Sequence, residues 1–452
     1  MNTALVVLDT FRKDAFDEHF DWLPGTRYEN AWSTSHWTIP SHVSLFTGRY
    51  ASEVGTFARS MTLDHGGETL AEALSAAGYT THAFSANIGI SPIFGFDRGF
   101  DRFEKSERVE YAARELLDWS LFLERHGDKS PHRYLIALKE CLESDVDTIG
   151  SLQRGIELKL GDLGIEVGAE DDGARSALNF VRSTDFGDRE FLFVNLMEAH
   201  GPFDPPKEYR TVDDYEMPSN SLGLDLDDEI DREPVWTAYN DSVRYLSDMY
   251  REIFTEIAAD FDRVITLADH GNAFGERDVY GHTYGLQPEL THVPLCVTDT
   301  TDWEDSSAAE REDDWIEDEL VSLLDVHRTI LDLADVDGDS DGRSLIDGET
   351  SRPVLTEYHG ITQPEKIDNL RRDGWDETRI QEYDRPLDGV VLPPDRYGYQ
   401  THDGVVTVDG LDKETVETEI ERLTAELDRV ERDEDDDLDD AVLQQLEDLG
   451  YA

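Results

Sequence analysis

Three apolar segments of this chain each lead into an acidic residue or a histidine, and this pattern constrains the possible folds more than any other feature. The residues concerned are Asp9 after Ala4–Leu8, His200 a short turn after Phe191–Leu196, and Asp269 with His270 after Val264–Ala268. Continuous apolar runs of this length are typical of parallel strands buried on both faces. Ligands of an open parallel sheet bind beyond the carboxyl ends of its strands. The sequence therefore predicts that these side chains meet at one edge of a sheet.

Helical patterns alternate with the strand patterns. Glu68–Ala77 is amphipathic and leads into a strand at Tyr79–Ser85, and the long pattern Thr237–Phe261 leads into Val264–Ala268. Such helix-then-strand units are characteristic of doubly wound folds. We therefore expect an α/β fold with a large, mostly parallel sheet flanked by helices. Phe11–Ser33 is expected to form loops and short elements.

The length of 452 residues is too great for one simple core. From about Gly342 the pattern changes to short strand-like pieces (PVLTEY, DGVVL and DGVVTVDG), which predict a small antiparallel subdomain. We expect a main α/β domain at 1–340, with a helical insertion at about 107–185, and a C-terminal subdomain with an acidic helical tail at 341–452. Asp302–Glu319 is expected to be an acidic surface segment, and Lys413–Val430 a helix.

Charge and composition exclude several classes of function. The chain has 102 acidic against 40 basic residues, a net charge of −62, which indicates adaptation to high salt and argues against a nucleic-acid partner. Two distant cysteines predict neither a disulfide framework nor a cysteine metal site. The start of the sequence has no signal-peptide pattern, and no apolar run reaches transmembrane length. We expect a cytoplasmic protein.

The segment Thr34–Gly48 supplies a hydroxyl group, Thr38, two residues before Pro40, a residue that can open a helix. A divalent cation accepts carboxylate and imidazole ligands and lowers the pKa of a coordinated hydroxyl. If Asp9, Asp269 and His270 held such an ion, Thr38 could complete its coordination and act as a nucleophile. The helix N-terminus would favour a tetrahedral oxyanion such as phosphate or sulfate. Thr38 could instead, or in addition, cap the helix.

Eight motifs resemble, in order, those of the sulfatase family within the alkaline phosphatase superfamily. They are ALVVLDTFRKD, WTIPSHVSLFTGRYASEVGT, EAHGPFDPP, YNDSVRYLSD, ITLADHGNAFGERDVYGH, HVPLCV, GRSLIDGE and LEDLGYA. The LFTGRY stretch is very specific, and the resemblance covers nearly the whole chain except residues 107–185. It implies an alkaline phosphatase-like sandwich and an enzyme that hydrolyses ester bonds.

The resemblance also implies roles for individual residues. It assigns metal binding to Asp9, Thr38, Asp269 and His270, catalysis to Thr38, His200 and His282, and substrate binding to Ser41, His42, His200 and His282. His200 and His282 would act around the substrate and its leaving group, and the alternative for either is a structural histidine. One divalent ion (Ca, Mg, Mn or Zn) is the implied cofactor.

Three departures from the family pattern modify this expectation. Sulfatases proper carry a cysteine or serine at the position of Thr38, which is converted to formylglycine, and threonine is not converted. No formylglycine is therefore expected. His42 stands where the family has arginine, and Thr10 replaces the second acid of the usual pair after the first strand. A single-metal site is therefore the simpler expectation.

These departures favour phosphodiester or phosphonate chemistry over sulfate chemistry. The expected substrate is a small-molecule, glycan or lipid-headgroup ester, and the reaction is hydrolysis or transfer. Three alternatives stay open: a true sulfuric ester hydrolase, a two-metal enzyme resembling the cofactor-independent phosphoglycerate mutases, and a non-catalytic binding protein with the same fold. The sequence leaves the oligomeric state open.

Overall fold

A computed structural model describes residues 1–64, 66–106, 136, 139, 151, 173–226, 230–300, 316–346, 351–408 and 410–430. Most of the expected insertion and the end of the expected acidic tail, residues 431–452, lie outside these residues. Residues 174–183, which fall in the range given to the insertion, form a helix that packs on the main core and leads into the strand at Glu190–Leu196.

The strands of the described chain form two main sheets and one hairpin. The first sheet contains β1 (Thr3–Leu8), β2 (Thr26–Trp32), β3 (Thr80–Ser85), β4 (Arg102–Lys105), β5 (Glu190–Leu196), β6 (Arg263–Leu267), β9 (Leu295–Asp299) and β10 (Ile316–Ser322). The hairpin pairs β7 (Ala273–Glu276) with β8 (Val279–Gly281). The second sheet contains β11 (Val354–Tyr358), β12 (Leu387–Leu392), β13 (Arg396–Thr401) and β14 (Gly404–Thr407).

The large sheet has the order β10-β2-β9-β6-β1-β5-β3-β4 and is mostly parallel, as expected from the sequence. Only β9 runs antiparallel to its two neighbours. Four adjacent strands, β6, β1, β5 and β3, are parallel and in register. Strand β1 is buried along its whole length because it lies between β5 and β6 and is covered on both faces. The carboxyl ends of these four strands therefore lie side by side.

Helices flank this sheet. They are α1 (Lys13–His19), α2 (Thr38–Thr47), α3 (Ala51–Val54), α4 (Leu70–Ala76), α5 (Ala174–Ser183), α6 (Arg232–Asp260), α7 (Pro288–Thr291), α8 (Leu323–Leu333), α9 (Pro364–Arg372), α10 (Glu377–Asp384) and α11 (Lys413–Thr424). A short 3₁₀ turn occupies Pro92–Phe94. Helices α2, α4 and α8 pack against one another, and α6 packs against α1 and α5. Among the described helices, none combines the length and apolarity needed to cross a bilayer.

Three sequence expectations were wrong in detail. Thr26–Trp32, in the range where only loops and short elements were expected, is a strand of seven residues whose polar side chains occupy half-exposed positions between β9 and β10. Ile316–Ser322, expected in part to be an acidic surface segment, is the edge strand β10, whose outer half stays exposed and acidic. The helix expected at Lys413–Val430 ends at Thr424, because Asp428, Arg429 and Val430 bond to other parts of the chain.

The C-terminal sheet is attached to the segment that precedes α2. The Glu357 N–H group in β11 donates to the Thr34 carbonyl over 2.8 Å, and Ser35 Oγ donates to the Glu357 carbonyl over 2.8 Å. The Glu357 side chain is buried, and its Oε1 accepts hydrogen bonds from Ser52 (2.6 Å) and Arg429 (2.9 Å). Glu357 therefore connects three distant parts of the chain beside the start of α2.

We expect Glu357→Ala to lower the free energy of unfolding by about 1–3 kcal/mol, because it removes the buried acceptor of Ser52 and leaves the Arg429 guanidinium with one carboxylate, Asp388, in place of two. Glu419→Ala is the matched control, since Glu419 pairs with Arg422 on the partly exposed face of α11, and its effect should stay within about 0.5 kcal/mol. Chemical denaturation in concentrated KCl measures both. Equal losses in the two variants would contradict a role for Glu357 in holding the C-terminal sheet.

Candidate active site

Polar side chains converge at the carboxyl ends of the four adjacent parallel strands. Asp9 follows β1, Asn87 follows β3, His200 follows β5, and Asp269 with His270 follows β6. One ligand atom from each of Asp9, Asp269 and His270 lies within 4.8 Å of the others. All three residues are fully buried. Within the described ranges this is the only such group of three potential metal ligands.

Asp9 is held by two hydrogen-bond donors. Thr10 Oγ1 donates to Asp9 Oδ1 over 2.7 Å, and Asn87 Nδ2 donates to Asp9 Oδ2 over 2.7 Å. Burial alone would raise the pKa of Asp9, but the neighbouring imidazoles of His270, His200 and His42 and the hydrogen bond from Thr10 hold it below its usual value. Asp9 is therefore the ionised member of the cluster. Thr10, at the position where a second acid was expected, orients Asp9 with its hydroxyl.

Asp269 has one satisfied and one unsatisfied oxygen. Its Oδ1 accepts from the backbone N–H groups of Thr10 (3.2 Å) and His270 (2.9 Å). Its Oδ2 is buried without a hydrogen-bond partner and lies 3.5 Å from both His42 Nδ1 and His270 Nε2. Burial and the negative charge of Asp9 raise the pKa of Asp269 well above its usual value.

The donor set fits a divalent cation. Two buried carboxylates that repel each other, an orphaned carboxylate oxygen and an imidazole nitrogen are the groups from which proteins build such sites. A cation would balance the charge that burial otherwise penalises. No second cluster of three such ligands occurs in the described segments.

His270 presents its Nε2 atom to Thr38. The Nδ1–H group of His270 donates to the Gly271 carbonyl over 2.8 Å, which leaves Nε2 as an acceptor. Burial lowers the pKa of His270 to about 4, so the imidazole is neutral. Thr38 Oγ1 lies 3.3 Å from this Nε2. The hydroxyl therefore stands at the edge of the Asp9–Asp269–His270 cluster.

Thr38 is the first helical residue of α2, and the residue that caps this helix is Trp37. The capping role that the sequence allowed for Thr38 is therefore not the one observed. Thr38 is 4% exposed, and it lines a cavity together with Trp37 and Ile39. The backbone N–H groups of a first helical turn lack intrahelical acceptors and carry the positive end of the helix dipole. The hydroxyl thus lies where an anion would be attracted.

Ser41 and His42, expected to bind substrate, are completely buried and do not line this cavity. Ser41 Oγ donates to the Trp37 carbonyl over 2.9 Å and lies 3.0 Å from Ser33 Oγ. His42 Nδ1 donates to the Thr38 carbonyl over 2.9 Å, and its Nε2 accepts from Asn195 Nδ2 over 3.1 Å. Substrate binding by these two residues therefore stays a prediction, and the contacts that the structure shows for both fix the first turn of α2.

His200 and His282 both line the cavity, which has a volume of about 480 Å³. Their ring centroids are 5.1 Å apart, and the His282 ring lies 4.7 Å from that of His270. His200 Nδ1 lies 2.7 Å from the Gly201 carbonyl. Burial and the neighbouring imidazoles lower the pKa of His282 well below its usual value, and its Nδ1 atom has no hydrogen-bond partner. His282 is therefore a neutral group beside the Asp9–Asp269–His270 cluster.

Two residues of the site were missed in the sequence. Asn87 obeys the same rule as Asp9, a polar residue just beyond the end of a buried strand, and could have been found by it. Lys366, from α9, lines the cavity and is 9% exposed. No local pattern around Lys366 could have placed it there, because its position depends on how the C-terminal region packs.

Comparisons with known proteins match this chain to one protein family. The family model described as "Sulfatase" matches residues 15–336. A curated relative, "Uncharacterized sulfatase YidJ" of Escherichia coli K12, is 22% identical over an alignment of 369 residues. This alignment covers 74% of this chain and 66% of that protein. The chain thus spans just under two thirds of that relative's length.

Solved structures are similar over almost the entire chain. A phosphonate monoester hydrolase of Agrobacterium radiobacter has a TM-score of 0.62 at 16% identity, covering 94% of this chain and 95% of that one. The structure of BT4656 in complex with its substrate D-glucosamine-2-N,6-O-disulfate has a TM-score of 0.57 at 14% identity, covering 94% and 95%. At these identities the likeness demonstrates a shared fold.

We expect Asp269→Asn to abolish stabilisation by divalent metal while costing less than about 1 kcal/mol in EDTA, because the amide relieves the repulsion by Asp9. Wild-type protein should gain about 2.7 kcal/mol at a metal concentration near 100 times the Kd. The measurement is the unfolding temperature in EDTA and with added Ca²⁺, Mg²⁺, Mn²⁺ or Zn²⁺. Asp260→Asn, at the exposed end of α6, is the control. A full metal-dependent shift in Asp269→Asn would refute the site.

Proposed function

The chain belongs to the sulfatase family, and from this premise we propose that it is a metal-dependent hydrolase of phosphate- or sulfate-type esters with Thr38 as its nucleophile. The observation that carries the proposal is the Thr38 hydroxyl at the start of α2, 3.3 Å from His270 and beside two buried carboxylates. A free threonine hydroxyl is a weak nucleophile, so it needs such a partner.

Asp9, Asp269, His270 and Thr38 would hold the divalent ion. When bound, that ion supplies charge that lowers the pKa of the Thr38 hydroxyl and attracts the anionic ester. The chain's own contribution is to hold the four groups rigidly. Thr10 and Asn87 fix Asp9, the Gly271 carbonyl fixes the His270 tautomer, and His42 fixes the first turn of α2 through the Thr38 carbonyl.

The reaction proceeds in two displacements. Thr38 Oγ1, having lost its proton to solvent, attacks the phosphorus or sulfur atom, and the bond to the leaving oxygen breaks. An N–H group of His282 or His200 donates a hydrogen bond to that oxygen as it leaves, and the oxygen takes its proton from solvent. Water then attacks the covalent ester, its bond to Oγ1 breaks, and a proton of that water passes to Oγ1, which regenerates the Thr38 hydroxyl and releases the anion. The N-terminus of α2 stabilises the negative charge that develops on the non-bridging oxygens.

The identity of the nucleophile supports phosphodiesters or phosphonates over sulfate esters. Threonine cannot be converted to formylglycine, so the covalent intermediate must be an ordinary threonine ester that water hydrolyses. The fold likeness to a phosphonate monoester hydrolase agrees with this preference. A true sulfuric ester hydrolase is the second candidate, because the fold is shared equally with a protein bound to a sulfated sugar.

Replacing the nucleophile should stop turnover. We expect Thr38→Ala to lower kcat/KM by more than about 10³-fold, because the other hydroxyl beside the cluster, that of Thr10, is fully buried and bonded to Asp9, while Thr38→Ser stays within about 10-fold of wild type. Steady-state assays with an aryl phosphodiester, an aryl phosphonate, an aryl phosphate and an aryl sulfate measure this. The phosphodiester or phosphonate should be turned over fastest.

Thr47→Ala is the matched control, since Thr47 lies at the other end of the same helix and its hydroxyl donates to the Val43 carbonyl. Its kcat/KM should remain near that of wild type. Unchanged turnover in Thr38→Ala would exclude Thr38 as the nucleophile, and a dominant aryl sulfatase activity would favour the second candidate.

A further inference from the structure

The cavity in front of Thr38 is unusual for so acidic a chain. Of 452 residues, 102 are Asp or Glu, yet none of the described residues that line the cavity is acidic. Its wall is made of aromatic and apolar side chains, amides, hydroxyls, the two histidines and one amine, that of Lys366. A wall that excludes carboxylates and contains an ammonium group selects for anions.

The Lys366 amine has no carboxylate partner among the residues that the structure describes. The residue is 9% exposed, and the shift of its pKa, to about 8, has burial as its cause. Burying an ammonium group without a counter-ion is costly, and proteins retain such groups where a ligand supplies the opposite charge.

The position of Lys366 indicates which part of a substrate it would meet. Lys366 and His282 both line the cavity, and Lys366 comes from α9, not from the strand ends that carry the Asp9–Asp269–His270 cluster. Under the proposed function, that cluster and the N-terminus of α2 already take up the charge of the reacting group. The Lys366 ammonium group is therefore left for a charge elsewhere on the substrate, which is the alcohol portion of the ester.

Further polar groups around this region lack partners. Gln363, one turn before Lys366 in the same segment, is 4% exposed and its Oε1 atom has no hydrogen-bond partner. Asn272 is 3% exposed, and its Oδ1 atom is also unpaired. Both residues line the cavity. Buried polar atoms are rarely left unsatisfied, so these amides indicate that a polar ligand completes the wall.

We propose that Lys366 binds a second anionic group, carried by the alcohol portion of the substrate, so that the preferred substrates are esters whose leaving group is itself negatively charged. The inference rests on the proposed function, since it takes Thr38 as the reacting end of the cavity. Lys366 is then a specificity-determining residue supplied by the C-terminal region.

The test compares two leaving groups of the same size and different charge. Wild type, Lys366→Met and Lys366→Arg are assayed with 3-carboxyphenyl and 3-carbamoylphenyl esters of the phosphodiester or phosphonate type, at one fixed salt concentration. Wild type should favour the carboxylate by about 10- to 100-fold in kcat/KM, because a buried charge-assisted hydrogen bond discriminates at this level. Lys366→Met should lose this preference, because its kcat/KM falls much further on the carboxylate ester than on the carbamoyl ester, and Lys366→Arg should retain part of the preference.

Lys413→Met, an exposed lysine at the start of α11, is the control and should behave as wild type. Binding of 3-hydroxybenzoate and 3-hydroxybenzamide to Thr38→Ala protein, measured by calorimetry, gives a readout that does not need turnover. An equal loss of kcat/KM on both esters in Lys366→Met would indicate that the amine binds the reacting group, and it would overturn the proposal. A preference of Lys366→Met for the carboxylate ester equal to that of wild type would also overturn it. If wild type turned over neither ester, the proposed function itself would fail, and preferential binding of 3-hydroxybenzoate would still support the role of Lys366.

Discussion

The active-site region depends on the placement of two carboxylates, Asp9 and Asp269, at the ends of adjacent buried strands. Each would be costly to ionise in this dry environment, and each raises the cost for the other. The surrounding groups reduce that cost only in part. Thr10 and Asn87 donate to Asp9, and backbone N–H groups donate to one oxygen of Asp269. The remaining oxygen of Asp269 has no partner, and a divalent cation is the group that would satisfy it.

The large sheet and the helix α2 bring a hydroxyl to this cluster. Strands β6, β1, β5 and β3 run parallel and in register, so their carboxyl ends deliver acids, amides and imidazoles to one edge. Helix α2 is buried along its length and packs against α8. Its first turn is fixed by His42 and by the C-terminal sheet through Glu357. The rigidity of this support matters because displacement reactions are sensitive to small errors in the position of the nucleophile.

Much of this arrangement could be predicted from the sequence, because it follows from one local rule. A buried apolar strand that ends in a polar residue places that residue at the sheet edge, and Asp9, Asp269 and His270 obey the rule. The burial of Ser41 and His42 could not be predicted, because proximity in sequence to Thr38 does not reveal the direction of a side chain on a helix. Strand β2 was missed because its residues are half polar. Lys366 could not be foreseen, since no periodic pattern links α9 to Thr38 and its place depends on the docking of the C-terminal sheet.

Under the proposed function, Thr38 becomes covalently modified in a metal-dependent step. The most direct test of this step is peptide mass spectrometry of enzyme that is acid-quenched during turnover of an aryl phosphonate or aryl phosphodiester. We expect the peptide that contains Thr38 to gain the mass of the transferred group. This gain should be present with divalent metal and absent with EDTA. Modification of a different residue would contradict Thr38 as the nucleophile. So would turnover without any covalently modified enzyme, because water would then attack the substrate directly.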